Sequence, residues 1–111
     1  DDGSVGYYAP TPHARRTGSP NWMTGFPTAV YRLWRHYADV GIIRTAMPGL
    51  ERYFAFYESK CAETNCSTAG LARFWALGPT EWMQIGKAPD PHFMNAFGYV
   101  HDLRMMAEMA A

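Results

Sequence analysis

Apolar residues recur at helical spacing in three stretches of the chain, and polar, Gly- and Pro-rich segments separate them. The first stretch carries Val30, Leu33, Trp34 and Tyr37 on one side and Arg32, Arg35 and His36 on the other. Steps of three and four residues mark one face of an α-helix, and Pro27 suits its first position, where a backbone N–H has no intrahelical partner to lose. Asp39 then offers a side-chain cap for a short second turn through Val40, Ile43 and Ala46. A further helix is expected from Pro48, with Leu50, Tyr53, Phe54 and Tyr57 on one stripe and an end near Lys60. The third stretch opens with Asp90 as cap and Pro91 at the first position. Phe93, Ala96, Phe97, Val100, Leu103 and Ala107 follow the helical period from there. The pattern predicts helices over 27–38, 48–60 and 91–109, with Val30, Leu33, Tyr53, Phe54, Phe97 and Val100 facing inward.

Between these stretches the periodicity lapses. Residues 1–26 are rich in Gly, Pro, Ser, Thr and Tyr, and 61–90 revert to irregular chain punctuated by Gly78-Pro79 and Gly86. Leu71-Ala-Arg-Phe-Trp-Ala-Leu77 is apolar enough for a short strand or a buried loop, and periodicity does not separate the two. Long ordered loops in compact proteins usually carry function, because ordering them costs conformational entropy that packing alone does not return. The expected layout is a single unit: loop 1–26, helical hairpin 27–60, loop 61–90 and helix 91–110. The fold class is all-α, built of αα-hairpins with long loops.

Composition narrows the function. The chain has 111 residues, enough for one modest core, and 48% of them are apolar. Ten basic residues balance ten acidic ones, and no cationic cluster exceeds Arg15-Arg16, so neither nucleic acid nor an anionic membrane is an expected partner. No apolar run approaches membrane-spanning length. The sequence lacks an initiator Met and a leader pattern, stops on a helical pattern at Ala110-Ala111, and reads as cut at both ends. Cys61 and Cys66 suit a local disulfide in a secreted protein and two thiols in a cytosolic one, which leaves the compartment open. His13, His36, His92 and His101 are scattered, so no metal and no cofactor is expected.

Aromatic residues make up 15% of the chain, with four Trp, and two of these fall on loops that precede apolar helices. One is Trp22 in Gly18-Ser-Pro-Asn-Trp22-Met-Thr-Gly-Phe-Pro27. The other is Trp82 in Leu77-Gly-Pro-Thr-Glu81-Trp82-Met-Gln-Ile-Gly86. An indole held among Gly and Pro can stack on the C–H face of a pyranose while polar neighbours bind its hydroxyls; it can equally plug the end of a helix bundle.

These segments, taken in order, resemble one family. Asp2-Gly3-Ser4-Val5, Gly18-Ser19-Pro20-Asn21-Trp22 and the helix ending Tyr31-Arg-Leu-Trp-Arg-His-Tyr-Ala38-Asp39 are similar to the "DGS(I/V)P", "SPGWGD" and "LYRRYGD" segments of bacterial-type α-L-rhamnosidases. Pro48-Gly-Leu50-Glu-Arg52-Tyr-Phe54, Gly78-Pro-Thr-Glu81-Trp82, Asp90-Pro91 and the run Tyr99 through Met109 continue the likeness. The resemblance spans essentially the whole chain as a series of individually weak motifs. It implies an internal piece of a six-hairpin glycosidase domain, a partial (α/α)6 toroid whose remaining hairpins would be its partners. The implied activity is removal of terminal α-L-rhamnose from rhamnose-containing glycosides. The implied chemistry is inverting, with two carboxylates about 6.5–9.5 Å apart, one protonating the leaving oxygen and one activating water.

The resemblance implies no catalytic residue here, because the family's acid lies upstream and its base downstream of the matched region. It implies substrate contacts from Trp22 and Trp82. Two departures stand out: Met23-Thr24 replaces the Gly-Asp of the first turn, and the second loop is expanded, with Glu81 before Trp82 as the substitute carboxylate. His92, in the first turn of the last helix, is a fourth candidate for the sugar site. Glu51, Glu58, Asp102 and Glu108 lie in helical segments and are expected to be solvated. Asp39 and Asp90 read as caps, His13 has no partner in sequence for a nucleophilic dyad, and Met105, Met106 and Met109 read as adaptable core. Competing readings are a six-hairpin glycosidase of other specificity and a non-catalytic helical glycan-binding or structural module.

Overall fold

A computed structural model describes residues 3–6, 20–62, 85–87 and 89–111. Its elements are α1 (Pro20–Met23), α2 (Gly25–Tyr37), α3 (Val40–Ala62) and α4 (Pro91–Ala110), and no strand is found among the described residues. The chain is therefore all-α. Helix α2 packs against α3 and α4, and the single turn of α1 lies on α4.

Two apolar clusters fill the space between the helices. Val30 of α2, Ile43 and Leu50 of α3, and Met105 and Met109 of α4 form one, edged by Phe26, Trp34 and Met106. Met23, Tyr53, Phe54, Phe56 and Tyr57 form the other, with Val5, Phe26, Tyr99 and Met106 against it. Phe26 and Met106 touch both and join them. In the second cluster Tyr53 meets Phe26, Phe54 and Tyr57 edge-on, an arrangement that sets positive ring edges against negative faces.

Several helix boundaries differ from those the pattern predicts. Helix α2 begins at Gly25, two residues before Pro27, and α1 occupies the end of the expected 1–26 loop. Helix α3 starts at Val40, where the Asp39 carboxylate accepts a 2.8 Å hydrogen bond from the Gly41 N–H. It then runs on past Pro48, which the sequence placed at the start of a separate helix. Pro48 lacks an N–H for the Arg44 carbonyl and ordinarily ends a helix. It sits on the exposed side, while Ile43 before it and Leu50 and Tyr53 after it are buried on the inner side. Burial on both sides of the proline outweighs the lost bond.

The largest difference concerns which face of α4 is inside. The buried stripe is Asn95, Gly98, Asp102, Met105 and Met109, at steps of three and four. Phe97 and Val100, expected inward, are 63% and 54% exposed, as are Phe93 and Leu103 to similar degrees. Leu33 of α2 is also on the outside at 42%. Asp102, expected in water, is fully buried.

Two backbone positions fix the corners. Ala38, between α2 and α3, is left-handed at φ 52°, and its N–H closes α2 on the Trp34 carbonyl at 2.8 Å. Gly3 has φ +86° and lies against α3 so closely that a Cβ there would fall 2.0 Å from the Arg52 carbonyl oxygen. Both positions yield predictions. Gly3→Ala should destabilise the chain by about 1–3 kcal/mol, as overpacking does. Ala38→Gly should stabilise it by about 1 kcal/mol, because glycine enters the left-handed region without a Cβ clash. Urea denaturation followed by circular dichroism checks both; opposite signs would contradict the corner geometry.

Candidate functional site

The four sequence candidates fare differently. Trp22 lies in α1, half-buried, directly before Met23 of the second core cluster. His92 falls in the first turn of α4, with its side chain outside the described set. Glu81 and Trp82 lie outside the described residues, as do His13, Cys66 and the apolar run 71–77. No sharing of one cleft by Trp22 and Trp82 is therefore described.

Beneath the Trp22 turn is a polar centre that the sequence did not reveal. Asp102 of α4 projects into the core, and its two carboxylate oxygens serve two different elements. Oδ1 accepts from the Thr24 hydroxyl, in the residue between α1 and α2. Oδ2 accepts from the Tyr53 hydroxyl of α3 at 2.6 Å. Tyr57, one turn along α3, has its hydroxyl 2.8 Å from that of Tyr53. Thr28, one turn along α2, has its hydroxyl 3.2 Å from that of Thr24.

Proton counting gives the network a direction. An ionised carboxylate only accepts, so Thr24 and Tyr53 each commit their single proton to it. Tyr57 must then donate to Tyr53, and Thr28 to Thr24. Four hydroxyls from two sides of the helical layer point their protons toward one carboxylate. His101, the next residue on α4, is the nearby cationic candidate, with Nδ1 3.9 Å from Asp102 Oδ1. Asn95, two turns back on the buried stripe, adds another enclosed polar side chain.

Electrostatics follow from the enclosure. Burial pushes the Asp102 carboxyl above its ordinary value, and the bonds from Thr24 and Tyr53 and the nearness of His101 bring it partway back. Burial likewise pushes the Tyr53 and Tyr57 phenols well above their usual range, and the Asp102 charge adds to the rise in both. These phenols are protonated at neutral pH and act as donors. The arrangement can hold a negative charge and fix the positions of the groups that point at it. It offers no exposed carboxylate, because Asp102 is closed off from solvent.

Other described acids lie elsewhere: Glu108 accepts a 2.6 Å hydrogen bond from Tyr31 on the outer surface, Asp39 caps α3, and Glu51, Glu58 and Asp90 are exposed. Among the described residues no group of three or more His, Cys, Asp and Glu side chains could hold a metal, and no helix is long and apolar enough to cross a membrane. The signal that could have singled out Asp102 was its place at a step of three from Met105 and four from Gly98, on the stripe opposite the phenylalanines.

The raised value of Asp102 fixes the sign of a pH effect. A carboxyl whose folded value lies above its unfolded value, about 3.9, favours the fold fully below that unfolded value and loses the contribution as pH rises through the folded one. The wild-type chain should therefore lose stability relative to Asp102→Asn as pH rises from about 3 through the raised folded value. Denaturant titrations of both proteins at a series of pH values measure the difference, and a difference that grows in favour of wild type with rising pH would contradict it.

Comparison with known proteins identifies the family. A family model described as the bacterial alpha-L-rhamnosidase 6 hairpin glycosidase domain matches residues 1–111, the entire chain. Searches of curated proteins and of solved structures gave no significant match. The helical architecture agrees with the family match. The chain belongs to the bacterial alpha-L-rhamnosidase six-hairpin glycosidase domain family.

Proposed function

We propose that the chain forms part of the sugar-binding region of an enzyme that removes terminal α-L-rhamnose from glycosides with inversion, and that the catalytic carboxylates come from other parts of the parent domain. The observation that carries this reading is the match of one glycosidase family to every residue of the chain. Family membership supplies the reaction class, hydrolysis of a glycosidic bond. The sugar is inferred from the family's description and from the tryptophan-bearing loop segments.

An inverting hydrolase needs two carboxyl groups about 6.5–9.5 Å apart on opposite sides of the scissile bond, with room for water. Asp102 is unsuited to either role, since its oxygens are engaged by Thr24 and Tyr53 and hidden from solvent. Asp39 and Glu108 are occupied with a cap and with Tyr31. The engagement of these three acids favours a supporting role for this region, with Trp22 and Trp82 stacking on the sugar and Glu81 and His92 meeting its hydroxyls.

The surface supports a larger parent. Phe93, Phe97, Val100 and Leu103 form an exposed apolar stripe along α4, and Phe97 lies near-parallel between Phe93 and His101 with ring centroids 6.4 Å apart on either side. An apolar stripe of this length suits burial against further helices, as the remaining hairpins of an (α/α)6 toroid would provide.

The purified chain should show no turnover of a chromogenic α-L-rhamnoside above the buffer blank; sustained release of the chromophore would refute the supporting role. In the parent enzyme, Trp22→Ala should weaken substrate binding by about 1 kcal/mol or more, a rise in KM of about fivefold or more, while the fold stays cooperative. A parent that hydrolyses other glycosides and leaves α-L-rhamnosides untouched would overturn the choice of sugar.

A further inference from the structure

We propose that Asp102 is a positioning residue for the Trp22 segment: through Thr24 its carboxylate fixes where the turn that carries Trp22 sits between α3 and α4. The sugar-contacting role of Trp22 rests on the function proposed above, whereas the positioning itself rests on geometry alone.

Helix α1 is weak by itself. Four residues make a single helical turn, which cannot hold its own conformation in water. Two groups next to Trp22 tie it down. Met23 is buried against Tyr53 and Tyr57, but apolar burial has no direction and would tolerate sliding. Thr24 supplies the direction, because its hydroxyl must meet Asp102 Oδ1. Asp102 cannot follow a moving turn, since its second oxygen is held by Tyr53 on α3, and Tyr53 in turn takes the proton of Tyr57. Moving the Trp22 turn would strip one donor from a buried carboxylate, which is among the more costly events in a protein interior. The indole position is therefore tied to the α3–α4 register through three side chains.

The residue at 24 fits this account. The resembling segment has an acid at this position, and an acid there would set two carboxyls against each other, so that one of them would have to hold a proton. Thr24 donates to the carboxylate without that requirement. In this chain the carboxylate of the turn is supplied from α4, 78 residues away in sequence.

The test is made on the whole chain labelled with 5-fluorotryptophan, with Trp22→Phe assigning the Trp22 fluorine resonance and Trp34 as internal reference. Asp102→Asn and Thr24→Val should each shift the Trp22 resonance and leave Trp34 in place, Thr24→Ser should restore the wild-type position, and the double variant should add nothing to either single one. A Trp22 resonance that stays at its wild-type position in both single variants, or shifts that simply add in the double variant, would overturn the proposal. Where Asp102→Asn does not fold, the Thr24→Val and Thr24→Ser pair decides alone, with a shift in the first and none in the second as the expected result. Titration of the parent enzyme, labelled in the same way, with L-rhamnose tests the other reading separately: a Trp22 resonance that ignores the sugar removes the sugar contact and leaves the positioning to stand or fall on the variants.

Discussion

A carboxylate sealed in a helical core must be surrounded by donors, and that requirement organises this molecule. Desolvating the Asp102 charge is unfavourable by several kcal/mol before any partner is counted, a penalty that only well-aimed hydrogen bonds offset. The donors come from opposite sides: Thr24 ahead of α2, and Tyr53 with Tyr57 behind it on α3. Each is placed by its own apolar surroundings, Met23 beside Thr24 and the edge-on ring cluster around Tyr53. Packing brings the hydroxyls close, and the charge selects one arrangement among the several that packing alone would permit.

The same carboxylate explains the orientation of α4. Turning the phenylalanine stripe inward would bury more apolar surface, but it would also carry Asp102 out and leave the Tyr53 and Tyr57 hydroxyls enclosed without their acceptor. The inward face instead presents Asn95, Gly98 and Asp102 at one end and Met105 and Met109 at the other. Gly98 adds no side chain to this face, and the methionines pack against Val30, Ile43 and Leu50. The helix is thus two-sided. Its polar and sulfur-bearing stripe serves this unit, and its aromatic stripe remains for neighbours.

That two-sidedness marks the limit of what the sequence makes legible. The three long helices are readable because Val30, Tyr53, Phe54 and the α4 pattern keep a 3.6-residue period over many turns. The join at Pro48 is not, because proline breaks helices in general and only the burial on either side of it, visible in three dimensions, overrides the rule. The inside of α4 is misread because a hydrophobic period tells that a face will be covered, not by what. Of the site, Trp22 stands out in sequence as an indole among Gly and Pro. Asp102 does not, since its partners Thr24 and Tyr53 lie 78 and 49 residues away and carry no local signature. Trp82 and Glu81 lie outside the described residues.

The long sequence span of the Thr24–Asp102 bond has a consequence for how the chain is made. A ribosome adds about 5–20 residues per second, so about 4–16 s separate the emergence of residue 24 from that of its acceptor 78 positions later. During that interval α2 and α3 can meet through Val30, Ile43 and Leu50, yet the hydroxyls of Thr24, Tyr53 and Tyr57 face a gap that only water can fill. The nascent hairpin must therefore stay open and hydrated on that side, and it closes when α4 arrives carrying the charge. Such late closure makes the arrival of α4, rather than the formation of the first helices, the moment at which the Trp22 segment acquires its place.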